Sequence, residues 1–141
     1  MPRPARLTHS RARCRAHGRE RERGVASIQL VILMPVLFTL LFVGMQAAMI
    51  YHGRTVAIAA AQEGARAAAA QDGTTVSGQK AAAAFVVAAG GQDVLQGVHV
   101  AARRTAAAAT VTVTARILSV VPGWTPRVTQ SASAPTERLT R

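Results

Sequence analysis

The stretch that decides the fold is residues 24–50, GVASIQLVILMPVLFTLLFVGMQAAMI. It lies within thirty consecutive residues, 24–53, that contain no Asp, Glu, Lys or Arg. An α-helix rises about 1.5 Å per residue, and about 20 apolar residues cross the hydrocarbon core of a bilayer. A lone segment satisfies its backbone hydrogen bonds in lipid only as a helix. The stretch therefore predicts a single transmembrane helix, with a buried helix of a soluble domain as the weaker alternative.

The rest of the chain leaves room for one small domain. About ninety of the 141 residues follow the membrane helix. Half of all residues are hydrophobic, but many are alanine and only 4% are aromatic, so each buries little area. The single cysteine, Cys14, excludes an internal disulfide. We therefore expect a thin core without crosslinks.

The net charge of +11 is densest before the membrane helix. Residues 1–24 hold eight Arg and two Glu, 8 − 2 = +6, and the residues from 25 onward contribute 9 − 4 = +5. Arginine-rich segments bind nucleic acid in some proteins, but arginines beside a membrane span also hold that end in the cytoplasm. The position favours the second role, so no nucleic acid is expected. The chain is then a single-pass protein of the cell membrane with an extracytoplasmic C-terminal domain.

Residues 1–23 predict a disordered cytoplasmic leader, because they are rich in arginine and lack apolar periodicity. A cleaved secretory signal is the competing interpretation, since a basic segment precedes an apolar run. The run is longer than the roughly 7 to 15 apolar residues of such a signal. No convincing small-x-small cleavage site precedes Tyr51. Both features favour a membrane anchor.

Two features inside the helix concern its shape and packing. Pro35 removes one backbone hydrogen bond and clashes with the carbonyl of Val31, which predicts a kink. Gly44 and Ala48 lie four residues apart and form a small-xxx-small face on which a second helix could pack closely. Small residues are common in membrane helices, so this pair is a weak dimerisation signal.

Residues 54–91 are predicted to form extracytoplasmic helices. Residues 54–71, RTVAIAAAQEGARAAAAQ, are rich in alanine, which is the best helix former, and continue the membrane helix. Glu63 and Arg66 have the i,i+3 spacing of a helical ion pair.

A break and a second helix follow. Residues 72–78 contain aspartate and glycine and are predicted to interrupt the first helix. Residues 79–89, QKAAAAFVVAA, predict a shorter helix that ends at Gly90 and Gly91. Two helices joined by a short loop result.

Residues 92–135 are predicted to form a three-stranded antiparallel meander. Residues 110–117, TVTVTARI, alternate apolar and polar side chains and are the clearest strand. Residues 94–103 alternate more loosely, and residues 127–134 alternate again. The loop at 121–126, VPGWTP, supplies turn residues between the last two strands.

The sequence thus predicts an α+β fold. An N-terminal single transmembrane helix, residues 24–53, continues into a long helix, followed by a second short helix and a small three-stranded antiparallel sheet. Residues 136–141 are expected to be a disordered tail. Trp124 is either an exposed contact or an anchor of the core or its loop, and the anchor role is favoured.

The chain offers no residue arrangement expected of an enzyme. Its histidines are spread over the leader, the membrane exit and a strand, and they do not make up the ligand set of a metal site or a catalytic triad. The glycines match no phosphate-binding loop. We expect no catalysis, no cofactor, no metal and no small-molecule substrate.

Several residues together carry a resemblance to a known family. The pattern is a glycine after a basic leader, a polar residue and a proline inside an apolar run, and a later Ala-Gln-Glu-Gly-Ala-Arg segment. The residues concerned are Gly24, Gln29, Pro35, Glu63, Gly64 and Arg66. In this pattern the chain resembles the TadE-like family, minor-pilin-like proteins of the tight-adherence (Tad, Flp-type) pilus system. The resemblance covers residues 23–70 well and residues 110–134 more loosely.

This resemblance implies a non-enzymatic pseudopilin, acting as a minor pilin or an assembly factor. The implied partners are membrane lipid, other pilin-like subunits, the pilus assembly platform and a prepilin peptidase. A membrane-tethered binding module or secreted factor unrelated to pili is the alternative function.

The predicted processing site lies between Gly24 and Val25. A glycine suits an extended chain that enters a tight active site. The family usually carries glutamate where this chain has Gln29, and the resemblance implies that this carboxylate balances the new N-terminal ammonium. A neutral amide supplies no such charge. The other interpretation of Gln29 is a tolerated polar residue near the membrane surface.

Overall fold

The structure is a computed structural model that describes residues 13–136, with side chains described from residue 28 onward. Over this range it contains two α-helices, one 3-10 helix and three strands. Their bounds are α1 Arg13–Ala69, α2 Thr75–Ala88, η1 Gly91–Asp93, β1 Leu95–Arg104, β2 Ala108–Ile117 and β3 Arg127–Pro135. The predicted α+β class is confirmed. The disorder predicted for residues 1–12 and 137–141 lies outside the described residues.

Helix α1 runs without interruption from the basic segment into the globular part, as the alanine-rich pattern predicts. It begins at Arg13, whereas the sequence predicts no structure before Gly24. Residues 13–23 consist mainly of Arg, Glu and Ala, which favour helices, and contain no proline. Extending an existing helix also needs no new nucleation.

The chain divides into two compact units, one ending at Leu41 and one beginning at Phe42. The predicted end of the membrane span, at residue 53, concerns a different boundary and stays a prediction. The globular unit begins earlier because Met49 packs against its core and Gln46 is buried within it. The last part of the uncharged stretch therefore belongs to the folded unit.

Helix α2 begins four residues earlier than predicted, at Thr75. A capping box precedes it: the Ser77 N–H donates to Thr74 Oγ1 (3.0 Å), and the Thr74 N–H donates to Ser77 Oγ (2.8 Å). Each bond satisfies a backbone donor at the start of the helix. Gly78, predicted to be part of the break, instead lies inside the helix and is buried.

The strands form the predicted antiparallel meander, in the order β1-β2-β3. The register of β1 against β2 shifts between Gln96 and His99, and Gly97 between them has a φ of +60°. A glycine at positive φ is typical of a bulge in which two residues face one. On the outer face, hydroxyl groups bond across β2 and β3, with Thr110 Oγ1 and Ser133 Oγ 2.7 Å apart.

Small residues dominate the core, which α1, α2 and the inner face of the sheet enclose. Nine of the sixteen buried hydrophobic residues in the described chain are alanine. The largest fully buried side chains there are Gln46, Val111 and Val113. The two valines lie on the predicted inner face of β2, which confirms its alternation. Because alanine side chains are short, the helix backbones approach the sheet closely.

Trp124 lies outside the buried core, so the core part of the favoured anchor role is wrong. Half of its surface (50%) is exposed. Its backbone N–H donates to Val121 O at 3.3 Å, and Gly123 before it has a φ of +80°. The half-exposed indole fits the exposed-contact alternative, and anchoring of the loop by Trp124 stays a prediction.

Candidate functional site

The Glu63-Gly64-Ala65-Arg66 segment lies in the part of α1 that belongs to the globular unit. Arg66 donates to one carboxylate oxygen of Glu63 from Nη2 at 2.5 Å and from Nε at 3.2 Å. Both side chains are substantially exposed. Such a surface pair stabilises a helix by about 0.2–0.5 kcal/mol. The predicted ion pair is thus present, and its effect is local to α1.

Gly64 is the residue of this segment that decides packing. A Cβ atom at Gly64 would lie 2.7 Å from the Gly78 carbonyl oxygen and 2.9 Å from Ala82 Cβ. The reverse contact is as close, because a Cβ at Gly78 would lie 2.8 Å from the Gly64 carbonyl oxygen. Real Cβ atoms essentially never approach other atoms this closely. Helices α1 and α2 therefore cross at this pair of glycines.

The crossing also rests on the central strand of the sheet. A Cβ at Gly64 would lie 3.1 Å from Val111 Cγ1, and one at Gly78 would lie 3.5 Å from Val111 Cγ2. Val111 is fully buried in β2. The buried residues of α1 on either side of Gly64 are mostly alanines: Ala57, Ala60, Ala61, Ala65, Ala68 and Ala69. Two helices and the sheet thus meet at one point, with no room for a larger residue.

A second buried contact, which was not predicted from the sequence, joins α1 to the loop after β2. Gln46 is only 2% exposed. Its Oε1 accepts from the Val120 N–H at 2.9 Å and from Ser119 Oγ at 3.2 Å, and its Nε2 donates to Leu118 O at 3.4 Å. The available signal was a polar residue within an uncharged stretch, where an unpaired amide is costly. Gln46 fixes this loop to α1.

The apolar part of α1 carries a large exposed hydrophobic surface. Fourteen large hydrophobic side chains between Ile28 and Met45 are exposed. A surface of this kind marks a membrane or protein contact in a folded protein. The helix is also long and apolar enough to cross a membrane. Within the described residues this one helix fits the predicted single-pass anchor.

Three residues predicted to shape or pack this helix, Pro35, Gly44 and Ala48, lie within α1. Helix α1 continues through Pro35, whose carbonyl accepts a hydrogen bond from Thr39 Oγ1 at 2.7 Å. The kink at Pro35 stays a prediction. Gly44 and Ala48 are exposed, and a Cβ at Gly44 would meet nothing within 4 Å. Helix packing on this small-xxx-small face stays a prediction as well.

Comparison with models of known families matches residues 24–66 to the family described as TadE-like protein. Over these residues the chain is similar to TadE-like proteins, and we call residues 24–66 the TadE-like segment. The match begins at Gly24 and ends at Arg66, so it includes the six motif residues named for the resemblance, whereas the looser resemblance over residues 110–134 lies outside it. Comparisons with curated proteins and with solved structures find no match.

The TadE-like segment extends over parts of both compact units, since it begins before Leu41 and ends after it. It contains both the exposed apolar part of α1 and the buried glycine of the helix crossing. The crossing partners Gly78 and Val111 lie after the matched residues, in α2 and β2. The segment therefore provides one side of a contact that the rest of the chain completes.

The predicted processing residues lie at the start of the TadE-like segment. Gly24 and Val25 are both within α1, and Gln29 is exposed on it. A peptidase binds its substrate as an extended chain, so cleavage here requires local unwinding of the helix. Glycine lowers helix stability by about 1 kcal/mol relative to alanine, which favours unwinding at this position. Cleavage itself stays a prediction.

The globular unit has shallow clefts on its surface. Among the described residues, no three His, Cys, Asp or Glu side chains come together as a metal site. One cleft of about 300 Å³ is lined by Ile50, Arg54, Ile117, Arg127, Val128, Thr129 and Gln130. A shallow groove beside the TadE-like segment is lined by Glu63, Ala81, Ala84, Phe85 and Ala88. The first is cationic at its edge, and the second is mainly apolar.

Proposed function

We propose that this chain is a membrane-anchored subunit of a tight-adherence pilus, acting as a minor pilin or as a pilus assembly factor. The observation that carries the proposal is the match of residues 24–66 to the TadE-like family. The exposed apolar part of α1 supports it, because a pilin-like subunit needs a helix that is stable in lipid. The compact unit after Leu41 supports it too, because such a subunit presents a folded part beyond the membrane.

The proposed partners are membrane lipid, other pilin-like subunits and the pilus assembly platform. Within lipid, helices associate through close packing and interhelical hydrogen bonds, since lipid tails are as apolar as the helices. Gly44 and Ala48 are exposed on α1 and allow a second backbone to approach. We propose this small-xxx-small face as the contact with a neighbouring pilin-like helix.

The proposed orientation has the basic N-terminal segment in the cytoplasm and the globular unit outside. Its support is the charge of the first 24 residues, 8 − 2 = +6, beside an uncharged span. In the proposed maturation, a prepilin peptidase cuts between Gly24 and Val25. The eight leader arginines are then removed, and the mature chain starts at the membrane.

Deletion of the gene in its native host tests the proposal. Electron microscopy of surface pili should find a strong reduction in the deletion strain and recovery when the wild-type gene is returned. A Tad ATPase gene and a prepilin peptidase gene should lie beside this gene. Wild-type numbers of pili in the deletion strain would contradict a role in pilus formation.

Shearing the pili from the complemented strain separates the two roles. A minor pilin is recovered with the sheared fibres, whereas an assembly factor stays in the membrane fraction. The cells must stay intact during shearing. The absence of a cytoplasmic marker from the sheared fraction verifies this.

A further inference from the structure

The loop between β2 and β3 is the uncharged strap of this molecule. We use the name strap for residues 118–126, LSVVPGWTP, which contain no charged residue. The backbone closes at its base, where the Ile117 N–H donates to Pro126 O at 2.8 Å. Trp124 is half exposed, and Pro122 and Gly123 before it are exposed. The strap thus presents an apolar, aromatic turn to its surroundings.

Gln46 determines where the strap lies along α1. Its amide bonds residues 118–120 at the distances given above, and it is buried beneath them. Gln46 precedes Arg54, the first charged residue after the uncharged stretch, by eight residues. Eight residues of α-helix correspond to about 12 Å along its axis. The strap therefore reaches along α1 beyond its charged boundary, to the level of the uncharged stretch.

The length of the uncharged helix before Gln46 relates this level to a bilayer. Residues 24–45 span about 33 Å as a helix, which already covers a hydrocarbon core of about 30 Å. Gln46 and the strap bonded to it then fall where the hydrocarbon ends and the lipid headgroups begin. Tryptophan and tyrosine are enriched at this depth. Trp124, within the strap, and Tyr51, five residues after Gln46 in α1, are both exposed.

Three arginines surround the base of the strap. Arg116 and Arg127 face each other as direct cross-strand partners at the ends of β2 and β3, and Arg54 lines a cleft together with Arg127. All three are exposed, and among residues 28–136 the ion pair present joins Glu63 to Arg66 instead. Like charges directly opposite in a sheet destabilise it. An anion bound between these residues would remove that repulsion.

Asp93 is a carboxylate that a backbone hydrogen bond places close to the strap in the chain's fold. It lies in η1, next to Val94, whose carbonyl accepts from the Leu118 N–H at 2.8 Å. It forms no ion pair with an arginine in residues 28–136. The net charge of Asp93, Arg54, Arg116 and Arg127 is therefore +2, from 3 − 1.

We propose that the strap and the three arginines form a membrane-surface contact, in which Trp124 enters the headgroup region and Arg54, Arg116 and Arg127 bind lipid phosphates. Guanidinium groups match phosphate oxygens in two-bond geometry, and their apolar stems can lie along the membrane surface. The contact holds the globular unit against the bilayer from which α1 emerges. It rests on the membrane anchoring of the proposed function and is independent of any role in pili.

The fluorescence of Trp124 tests the contact, because it is the only tryptophan in the chain. Full-length protein is reconstituted into vesicles of phosphatidylcholine, or of phosphatidylcholine mixed with phosphatidylglycerol. The two quenchers are lipids brominated near the headgroup and aqueous iodide. We expect blue-shifted emission, quenching by the brominated lipid and protection from iodide, each stronger in the vesicles with phosphatidylglycerol.

A displaced tryptophan provides the control. In the double variant Trp124→Phe, Val76→Trp, the fluorophore lies at the start of α2, on an exposed position near the far end of α1. Ala69, where α1 ends, is 23 residues beyond Gln46, or about 34 Å along a helix. This tryptophan should be quenched by iodide and not by brominated lipid.

Charge reversal tests the arginines. The triple variant Arg54→Glu, Arg116→Glu, Arg127→Glu should lose the quenching by brominated lipid in vesicles with phosphatidylglycerol and gain quenching by iodide. The matched control reverses three charges away from the strap, in Lys80→Glu, Arg103→Glu, Arg104→Glu, and should behave as wild type. Equal loss in both triple variants would overturn the assignment of these arginines.

The outcomes separate this contact from the proposed function. If the chain resists alkaline extraction but Trp124 is quenched by iodide and not by lipid, the contact is overturned and the anchor stands. If the chain is extracted, both are overturned. If Trp124 is shielded only at high protein-to-lipid ratio, a second copy covers the strap and the lipid contact is wrong. A deletion strain with normal pili would overturn the pilus role without affecting these measurements.

Discussion

Gly64 in α1 and Gly78 in α2 contact each other through their backbones, because a Cβ on either residue would lie within 2.8 Å of the other's carbonyl oxygen. Neither glycine is required for a positive φ, since both are inside α-helices. The absence of a side chain is what the crossing needs. This assigns the glycine of the Glu-Gly-Ala-Arg segment a structural role: it lets α2 pack on α1 above Val111.

The first prediction is that Gly64→Ala destabilises the globular unit. The added methyl group would clash with the Gly78 carbonyl, and overpacking of this kind lowers the free energy of unfolding by about 1–3 kcal/mol. Denaturant unfolding of detergent-solubilised protein measures this loss. The readout is limited proteolysis, in which cleavage at sites after Leu41 reports the unfolded fraction of the globular unit.

The matched control for this variant is Gly44→Ala in the same helix, where a Cβ meets nothing within 4 Å. It should unfold as wild type or slightly later, because alanine favours a helix more than glycine does. Equal stability of Gly64→Ala and Gly44→Ala would show that the crossing is looser than the structure indicates.

The second prediction concerns the amide that fixes the strap. Gln46→Leu should leave the Val120 N–H and the Leu118 carbonyl without their partner, at a cost of about 1–3 kcal/mol for buried groups. Hydrogen exchange at the Val120 amide should become faster while exchange in β2 stays slow. Gln29→Leu is the control, since Gln29 is exposed on the same helix. Unchanged exchange at Val120 in Gln46→Leu would contradict the assigned contact.

Patterns within one element could be predicted from the sequence, whereas contacts between elements could not. The uncharged stretch, the alanine-rich segment and the alternation in β2 are each patterns of neighbouring residues. The structure confirms the helix predicted from the first two and the strand predicted from the third. The start of α2 differed because the Thr74–Ser77 capping box has serine at its third helical position, where the usual signature has Glu or Gln.

In the candidate site, too, the contact within one helix was predictable and the contacts between elements were not. Glu63 and Arg66 were predictable as a pair because their spacing alone brings them together. Gly78 has meaning only once α2 is placed across Gly64, and Gln46 only once the strap is placed on α1. Neither placement can be predicted from a single sequence. Gly78 was therefore interpreted as part of a break, and no role was predicted for Gln46.

The third prediction is topological. The charge of +6 in residues 1–24 should hold the N-terminus in the cytoplasm and direct the C-terminus outward. Alkaline phosphatase fused after Arg141 should be active, and a reporter that is active only in the cytoplasm should be silent at the same position. The reverse pattern of activities would show the opposite orientation.

The fourth prediction is that a prepilin peptidase produces a mature chain beginning at Val25. Intact-mass measurement of membrane-extracted protein from a peptidase-competent host detects the loss of residues 1–24. Gln29→Glu should increase the cleaved fraction or its recovery in assemblies, because a carboxylate can pair with the new ammonium group in low dielectric. A chain that keeps Arg23 in both the wild type and Gln29→Glu would rule out this maturation.

The fifth prediction, and the most direct test of the central claim, is the identity of the neighbour of α1 in the native membrane. A photo-crosslinking residue at position 44, on the small-xxx-small face with Ala48, should capture another pilin-like subunit or a protein of the Tad assembly platform in living cells. The same residue at position 76, on α2, is the control and should not give that product. The claim is contradicted if membrane-embedded protein gives no crosslink to a pilus component from position 44. It is also contradicted if positions 44 and 76 give the same products.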